Sequence, residues 1–103
     1  MIRVVLDTNV LVSAHLQEEG LEATVFLLAL SRRIRLCVSA PVLAEYAGVL
    51  RRRKFSLDPH HVTRSLEQIR SASRRVRSKR TLMVCPDADD NRFLECAEAG
   101  GAD

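Results

Sequence analysis

The stretch Ile2-Arg3-Val4-Val5-Leu6-Asp7-Thr8-Asn9 is a nearly unbroken apolar run that stops on a carboxylate and two short polar residues. Branched and apolar side chains in succession fit a strand covered on both faces within a parallel sheet; a half-exposed strand would alternate. Asp7 then stands at the carboxyl end of the first strand. Ligands of open α/β sheets bind in the crevice outside that end, so an acid there is placed for chemistry. Thr8 and Asn9 supply helix-start chemistry for Val10 to Leu16.

Beyond Gly20, Leu21, Val25 and Leu28 recur at spacings of four and three, which predicts a second helix ending near Ser31. Ile34 to Val38 forms a second strand. Ser39 and Pro41 open a third helix that runs to about Arg53, with Arg51, Arg52, Arg53 and Lys54 suiting its carboxyl end. Asp58 and Pro59 repeat the signal for a fourth helix to about Val76, with Val62, Leu66 and Ile69 on one face. Thr81 to Val84 is expected as a short third strand. The acidic loop Asp87, Ala88, Asp89 then leads into a last helix, Asp90 to Ala99, stopped by Gly100 and Gly101. This order predicts parallel strands joined by right-handed crossovers in a three-layer α/β/α sheet.

A chain of 103 residues is expected to form one domain and to bury about 60–70% of its unfolded surface, enough for a core without staples. Aromatics make up only 4%, so that core rests on Val, Leu, Ala and Ile, with Tyr46 expected inside it. Cys37, Cys85 and Cys96 are odd in number and form no C-x-x-C pair, which predicts buried thiols rather than a disulfide frame or a zinc site. Neither an export signal nor an apolar run of about 18 residues is present, so a cytoplasmic protein is expected.

The net charge of +3 is unevenly spread. From Arg64 to Arg80 seven basic residues face one acid, Glu67, whereas Asp87 to Asp103 carries six acids against Arg92 alone. A basic surface beside an acidic cluster fits a phosphate backbone near a cation; a solvated arginine-rich helix is the plainer alternative.

Three carboxylates occupy matched places. Asp7 ends the first strand, Glu45 lies one turn into the helix after the second, and Asp90 opens the helix after the third. With parallel strands all three converge on one edge of the sheet. Val42 and Val49 flank Glu45 on its helix, and a carboxylate beside an apolar stripe is costly without a partner. Gathered acids repel unless a hard cation compensates them, and Mg²⁺ or Mn²⁺ is the natural occupant. Such a site activates water and stabilises the leaving oxygen of a phosphodiester. Each acid also has a structural role open to it: Asp7 and Asp90 at helix amino ends, Glu45 paired with an arginine. His60 and His61 are adjacent in a first helical turn and point to different sides, as solvated residues do. Asp87 and Asp89 fit loop chemistry, and Ser39 a helix cap.

Residues 4 to 14 (Val-Val-Leu-Asp-Thr-Asn-Val-Leu-Val-Ser-Ala), 39 to 46 (Ser-Ala-Pro-Val-Leu-Ala-Glu-Tyr) and 86 to 97 (Pro-Asp-Ala-Asp-Asp-Asn-Arg-Phe-Leu-Glu-Cys-Ala) resemble the successive motifs of the PIN-domain family. Within it they are most similar to the VapC-like ribonucleases, toxins of type II toxin-antitoxin pairs. The resemblance implies a Mg²⁺- or Mn²⁺-dependent endoribonuclease that cuts single-stranded RNA, is held inactive by a cognate antitoxin and is commonly a homodimer. It assigns Asp7, Glu45 and Asp90 as metal-binding acids, a metal-bound water as nucleophile, and Thr8 or Asn9 as supporting hydrogen-bonding groups. Arg74, Arg75 and Arg77 are the candidate RNA-binding residues. In the family, Gly-Ala-Asp is followed by another strand and a fourth acid, whereas this sequence stops at Asp103. The expectation is therefore a C-terminally shortened PIN-like domain in which Glu95 or Asp103 would have to stand in; Glu95 lies five positions from Asp90, on another side of a helix.

The shortened end keeps a second reading open: a catalytically impaired PIN-like module that binds RNA or an antitoxin or other partner protein. A haloacid-dehalogenase-like phosphatase would want a carboxylate two residues after Asp7, where Asn9 stands. Dinucleotide binding would want a glycine-rich turn after the first strand, where Asp, Thr and Asn stand.

Overall fold

A computed structural model describes residues 1–79, 81–83 and 85–103, with the backbone alone at residues 88 and 89. Its elements in chain order are β1 (Arg3–Val4), α1 (Thr8–Leu16), α2 (Leu21–Leu30), β2 (Arg35–Val38), α3 (Ala40–Leu50), a 3₁₀ turn (Arg53–Phe55), α4 (Pro59–Ala72), β3 (Arg74–Arg75) and α5 (Ala88–Gly100). The strands form one parallel sheet in the order β1-β2-β3. Arg3 lies opposite Arg35 and Val4 opposite Leu36; Cys37 lies opposite Arg74 and Val38 opposite Arg75. In β2 the successive residues Leu36, Cys37 and Val38 are at most 1% exposed, so both faces of the central strand are covered and the α/β architecture holds.

The caps explain where the helices begin. Ser39 accepts the amide of Val42 at 3.3 Å and Asp58 that of His60 at 3.0 Å, each followed by a proline in the first turn. The buried face of α4 carries Val62, Leu66 and Ile69. At the end of α5 the amide of Gly101 bonds Glu98 and that of Ala102 bonds Ala97, with Gly101 at a φ of 61°, the left-handed stop that its missing Cβ permits.

Several boundaries differ from expectation. Regular pairing in the first strand is confined to Arg3 and Val4, and Ile2 is exposed, because β1 lies at the sheet edge among the described strands. In α2 the buried face is Ala23, Phe26 and Ala29, while Leu21 points outward: three small or flat residues let the helix approach more closely than the leucine stripe would. α3 ends at Leu50, short of Arg53. α4 stops at Ala72, so Arg74, Arg75 and Arg77 are not on a helix; the first two form the third strand.

Residues 81–83 are not a strand, and Val84 lies outside the described residues, as does Arg80. The backbone groups of Leu82 and Cys85 are satisfied from α5 instead. Glu95 accepts the amide of Leu82 at 2.6 Å and Arg92 donates to its carbonyl at 3.3 Å. Asn91 accepts from the Cys85 amide at 2.7 Å and donates to the Cys85 carbonyl at 2.9 Å. No helix among the described residues is long and apolar enough to cross a membrane.

Candidate functional site

Asp7 occupies the N-cap position of α1, where its backbone carbonyl accepts the amides of Val10 and Leu11 at 3.1 and 3.2 Å. Its carboxylate makes no cap hydrogen bond and the residue is exposed. The capping role therefore leaves the acid unused. Glu45 is half-buried between the buried Val42 and Val49, and Asp90 is exposed in the first turn of α5. Among the described residues none of these three carboxylates has an ion-pair or hydrogen-bond partner, so pairing of Glu45 with an arginine is not formed.

What joins their three segments is Tyr46. It is fully buried, as expected of a core residue, but its hydroxyl has a task that the sequence does not announce. It donates to the carbonyl of Leu6 at 2.6 Å, one residue before Asp7, and its ring packs on Phe93 at a centroid distance of 6.0 Å, one turn after Asp90. Tyr46 itself follows Glu45. One side chain thus fixes the end of β1, the second turn of α3 and the start of α5 to one another. Burial holds the tyrosine hydroxyl well above its ordinary pKa, with the thiol of Cys96 and the carboxylate of Asp7 pushing in the same direction.

The donor chemistry at this edge fits a hard divalent cation, since carboxylate oxygens are its preferred ligands. Beside Asp7 the Thr8 hydroxyl is buried and, among the described residues, lacks a hydrogen-bond partner, an orphaned polar atom of the kind that a ligand or its water shell satisfies. Yet the described residues contain no group of three His, Cys, Asp or Glu side chains close enough to hold a metal ion. Convergence is thus one of segments rather than of three carboxylates in a common shell. Asn9 is exposed next to them.

Neither suggested substitute is free. Glu95 is buried, lies 2.8 Å from Arg92 Nε and accepts the Leu82 amide. Asp103 accepts the Arg3 amide at 2.7 Å, and its own amide donates to the Arg3 carbonyl at 2.8 Å. Asp87 is exposed and the side chain of Asp89 lies outside what is described.

Past the carboxyl ends of β2 and β3 opens a cleft of about 750 Å³ lined by Ser39, Arg75, Arg77, Lys79, Arg92 and Glu95 among others. Four cations and one acid, the latter engaged by Arg92, leave it positive. Arg75 and Arg77 therefore stand at the same end of the sheet as the acids. Arg74 precedes Arg75 but points to the opposite face of the sheet, as neighbouring strand residues do, and there it joins Arg3 and Arg35.

The sequence profile of the PIN domain matches residues 3–103. The chain belongs to the PIN-domain family. PIN domains are typically nucleases and typically use a divalent metal. The chain is also 28% identical, over 99 residues, to an uncharacterized protein of Methanocaldococcus jannaschii; the match covers 93% of this chain and 64% of that protein's length. No solved structure matches the chain significantly.

The setting of His15 in this PIN domain is invisible to pattern reading, whereas the free thiols match what the cysteine count predicts. His15, flanked by Phe26 at 5.1 Å and His61 at 6.0 Å between ring centroids, donates from Nδ1 to the Leu11 carbonyl at 2.8 Å and accepts at Nε2 from the buried Ser65 hydroxyl at 2.9 Å. Cys37 and Cys96 are buried free thiols and Cys85 is a half-buried one; burial raises the pKa of the first two and keeps them unreactive.

Proposed function

We propose that this chain is a metal-dependent endoribonuclease and the toxin of a type II toxin-antitoxin pair. The observation that carries the reading is the pin made by Tyr46, which ties together three segments bearing unpaired carboxylates at the end of the sheet where a cationic cleft opens. Asp7, Glu45 and Asp90 are the residues that would hold Mg²⁺ or Mn²⁺, and such an ion, when bound, supplies an activated water and stabilises a leaving oxygen. Direct ligation by all three is not required, because Mg²⁺ retains several waters and is usually held by one or two carboxylates. The chain's own contributions are positional and electrostatic. Tyr46 keeps the end of β1 and the start of α5 in register, the Thr8 hydroxyl offers a hydrogen bond beside Asp7, and Arg75 and Arg77 neutralise backbone phosphates of a single strand laid along the cleft. A cognate antitoxin and a second copy of the chain are the partners that belong to this reading.

One observation favours the second reading, a PIN-like module that binds RNA or a partner protein without cutting: the three carboxylates do not form one ligand group. Incubation with single-stranded RNA separates the two. The nuclease cuts in Mn²⁺, stops in EDTA, and loses about 100-fold or more of its rate in Asp7→Asn. Mn²⁺ at 100 times its Kd raises the stability of the wild type by about 2.7 kcal/mol and that of the variant by much less. Full cleavage by Asp7→Asn would overturn the assignment of Asp7; RNA retained in EDTA with no cleavage at any Mn²⁺ concentration would establish the binding module.

A further inference from the structure

On the face of the sheet opposite to Arg75, each strand contributes an arginine. Arg3 lies directly opposite Arg35, and Arg74 lies opposite Cys37, two residues beyond Arg35 and hence on the same side. Together with Met1 these three side chains line a cleft of about 460 Å³. All three guanidinium groups reach the Cys37 thiol electrostatically, Arg74 most, each opposing the upward push of burial on its pKa.

Like charges placed opposite each other across strands destabilise a sheet, so three in a row need compensation. Little is on hand. Arg3 Nη1 donates to the Gly100 carbonyl at 3.4 Å, and the carboxyl end of α5 that this represents carries about half a negative charge. The Asp103 carboxylate is spent on the Arg3 amide rather than on a guanidinium. Among the described residues none of the three arginines forms an ion pair. The Asp103 carboxylate keeps its charge, so roughly one and a half negative charges against three positive ones leave the cluster cationic.

We propose that Arg3, Arg35 and Arg74 form a binding site for a multiply charged phosphate group, a phosphomonoester or pyrophosphate, separate from the acidic edge. Guanidinium forks match phosphate oxygens two at a time, and a phosphomonoester carries about −1.5 to −2 at neutral pH, against −1 for an internal diester. A terminal phosphate therefore compensates the cluster better than a backbone phosphate does. The group has two sources, a small soluble phosphate or the phosphorylated end of a nucleic acid.

The test is thermal unfolding in EDTA at constant ionic strength, using wild type, Asp7→Asn, Arg74→Gln and Arg74→Lys. Pyrophosphate is expected to raise the Tm of wild type and of Asp7→Asn alike, so the result is independent of whether the chain cuts RNA. Arg74→Gln loses the response while its ligand-free Tm stays level or rises, because repulsion is relieved; Arg74→Lys keeps the charge without the fork and binds about tenfold more weakly or worse. A single-stranded oligonucleotide binding more tightly with a 5′ phosphate than with a 5′ hydroxyl assigns the group to a nucleic-acid end; indifference to the 5′ group with pyrophosphate binding intact assigns it to a soluble phosphate. No response to millimolar pyrophosphate, or the same response in wild type and Arg74→Gln, overturns the site.

Discussion

Replacing Tyr46 by Phe tests the pin on which the acidic edge depends. The substitution keeps the ring, and with it the 6.0 Å packing on Phe93, and removes one oxygen. The Leu6 carbonyl then loses the donor 2.6 Å away at a position where the residue is only 6% exposed and lies beyond the two paired residues of β1. A buried acceptor left unsatisfied costs about 1–3 kcal/mol, and the middle of that range, about 2 kcal/mol, lowers the Tm of a domain this size by roughly 8–16 °C. Urea unfolding followed by circular dichroism measures it, with an unchanged m-value showing that the unfolded state is not responsible. Phe93→Leu removes the aromatic pair, worth about 0.5–1.5 kcal/mol beyond its area; because the two rings touch, its combination with Tyr46→Phe measures their coupling rather than a simple sum. Tyr46→Phe should also slow RNA cleavage, although it touches no reacting atom. A destabilisation within about 0.5 kcal/mol of zero would refute the reasoning and reduce Tyr46 to a space-filling ring.

Two more outcomes follow from local geometry. A Cβ on Gly100 would sit 2.8 Å from Cys37 Sγ and 3.0 Å from its Cβ, so Gly100→Ala is expected to destabilise by about 1–3 kcal/mol despite alanine's better helix propensity; Cys37→Ala in the same chain should recover part of it by calorimetry. His15 is held neutral in the fold, its pKa lowered from 6.5 first by burial and further by His61, against the raising effect of Leu11. Below pH 6.5 the unfolded chain binds the proton first, so the contribution of His15 is complete above that value and is lost as pH falls toward the depressed folded pKa. Denaturation curves between pH 7.5 and 5 should show that slope in the wild type and much less of it in His15→Gln.

The sequence made the α/β order legible wherever hydrophobic spacing and caps agree, as at Ser39 with Pro41 and at Asp58 with Pro59. It pointed to Asp7 because the residue ends an apolar run, and the absence of a side-chain cap bond leaves that acid open for other work. The third strand was illegible for a physical reason: Arg74 and Arg75 are exposed, and two exposed cations carry none of the apolar alternation by which strands are recognised. Arg3 and Arg35 gave no signal as partners of Arg74, because strand register is a property of the folded sheet. The Tyr46 hydroxyl was hidden within a correct expectation of burial, since composition tells where a tyrosine goes but not which carbonyl it meets.

Leu82 and Cys85 each have both backbone groups occupied by side chains of a single helix, with Glu95, Arg92 and Asn91 standing in for the neighbouring strand that their local sequence suits. Surrogates of this kind make the segment's conformation conditional, where a true ladder would make it permanent. Exchanging Glu95 for alanine leaves the Leu82 amide without its acceptor, free to be claimed by any extended backbone that comes alongside.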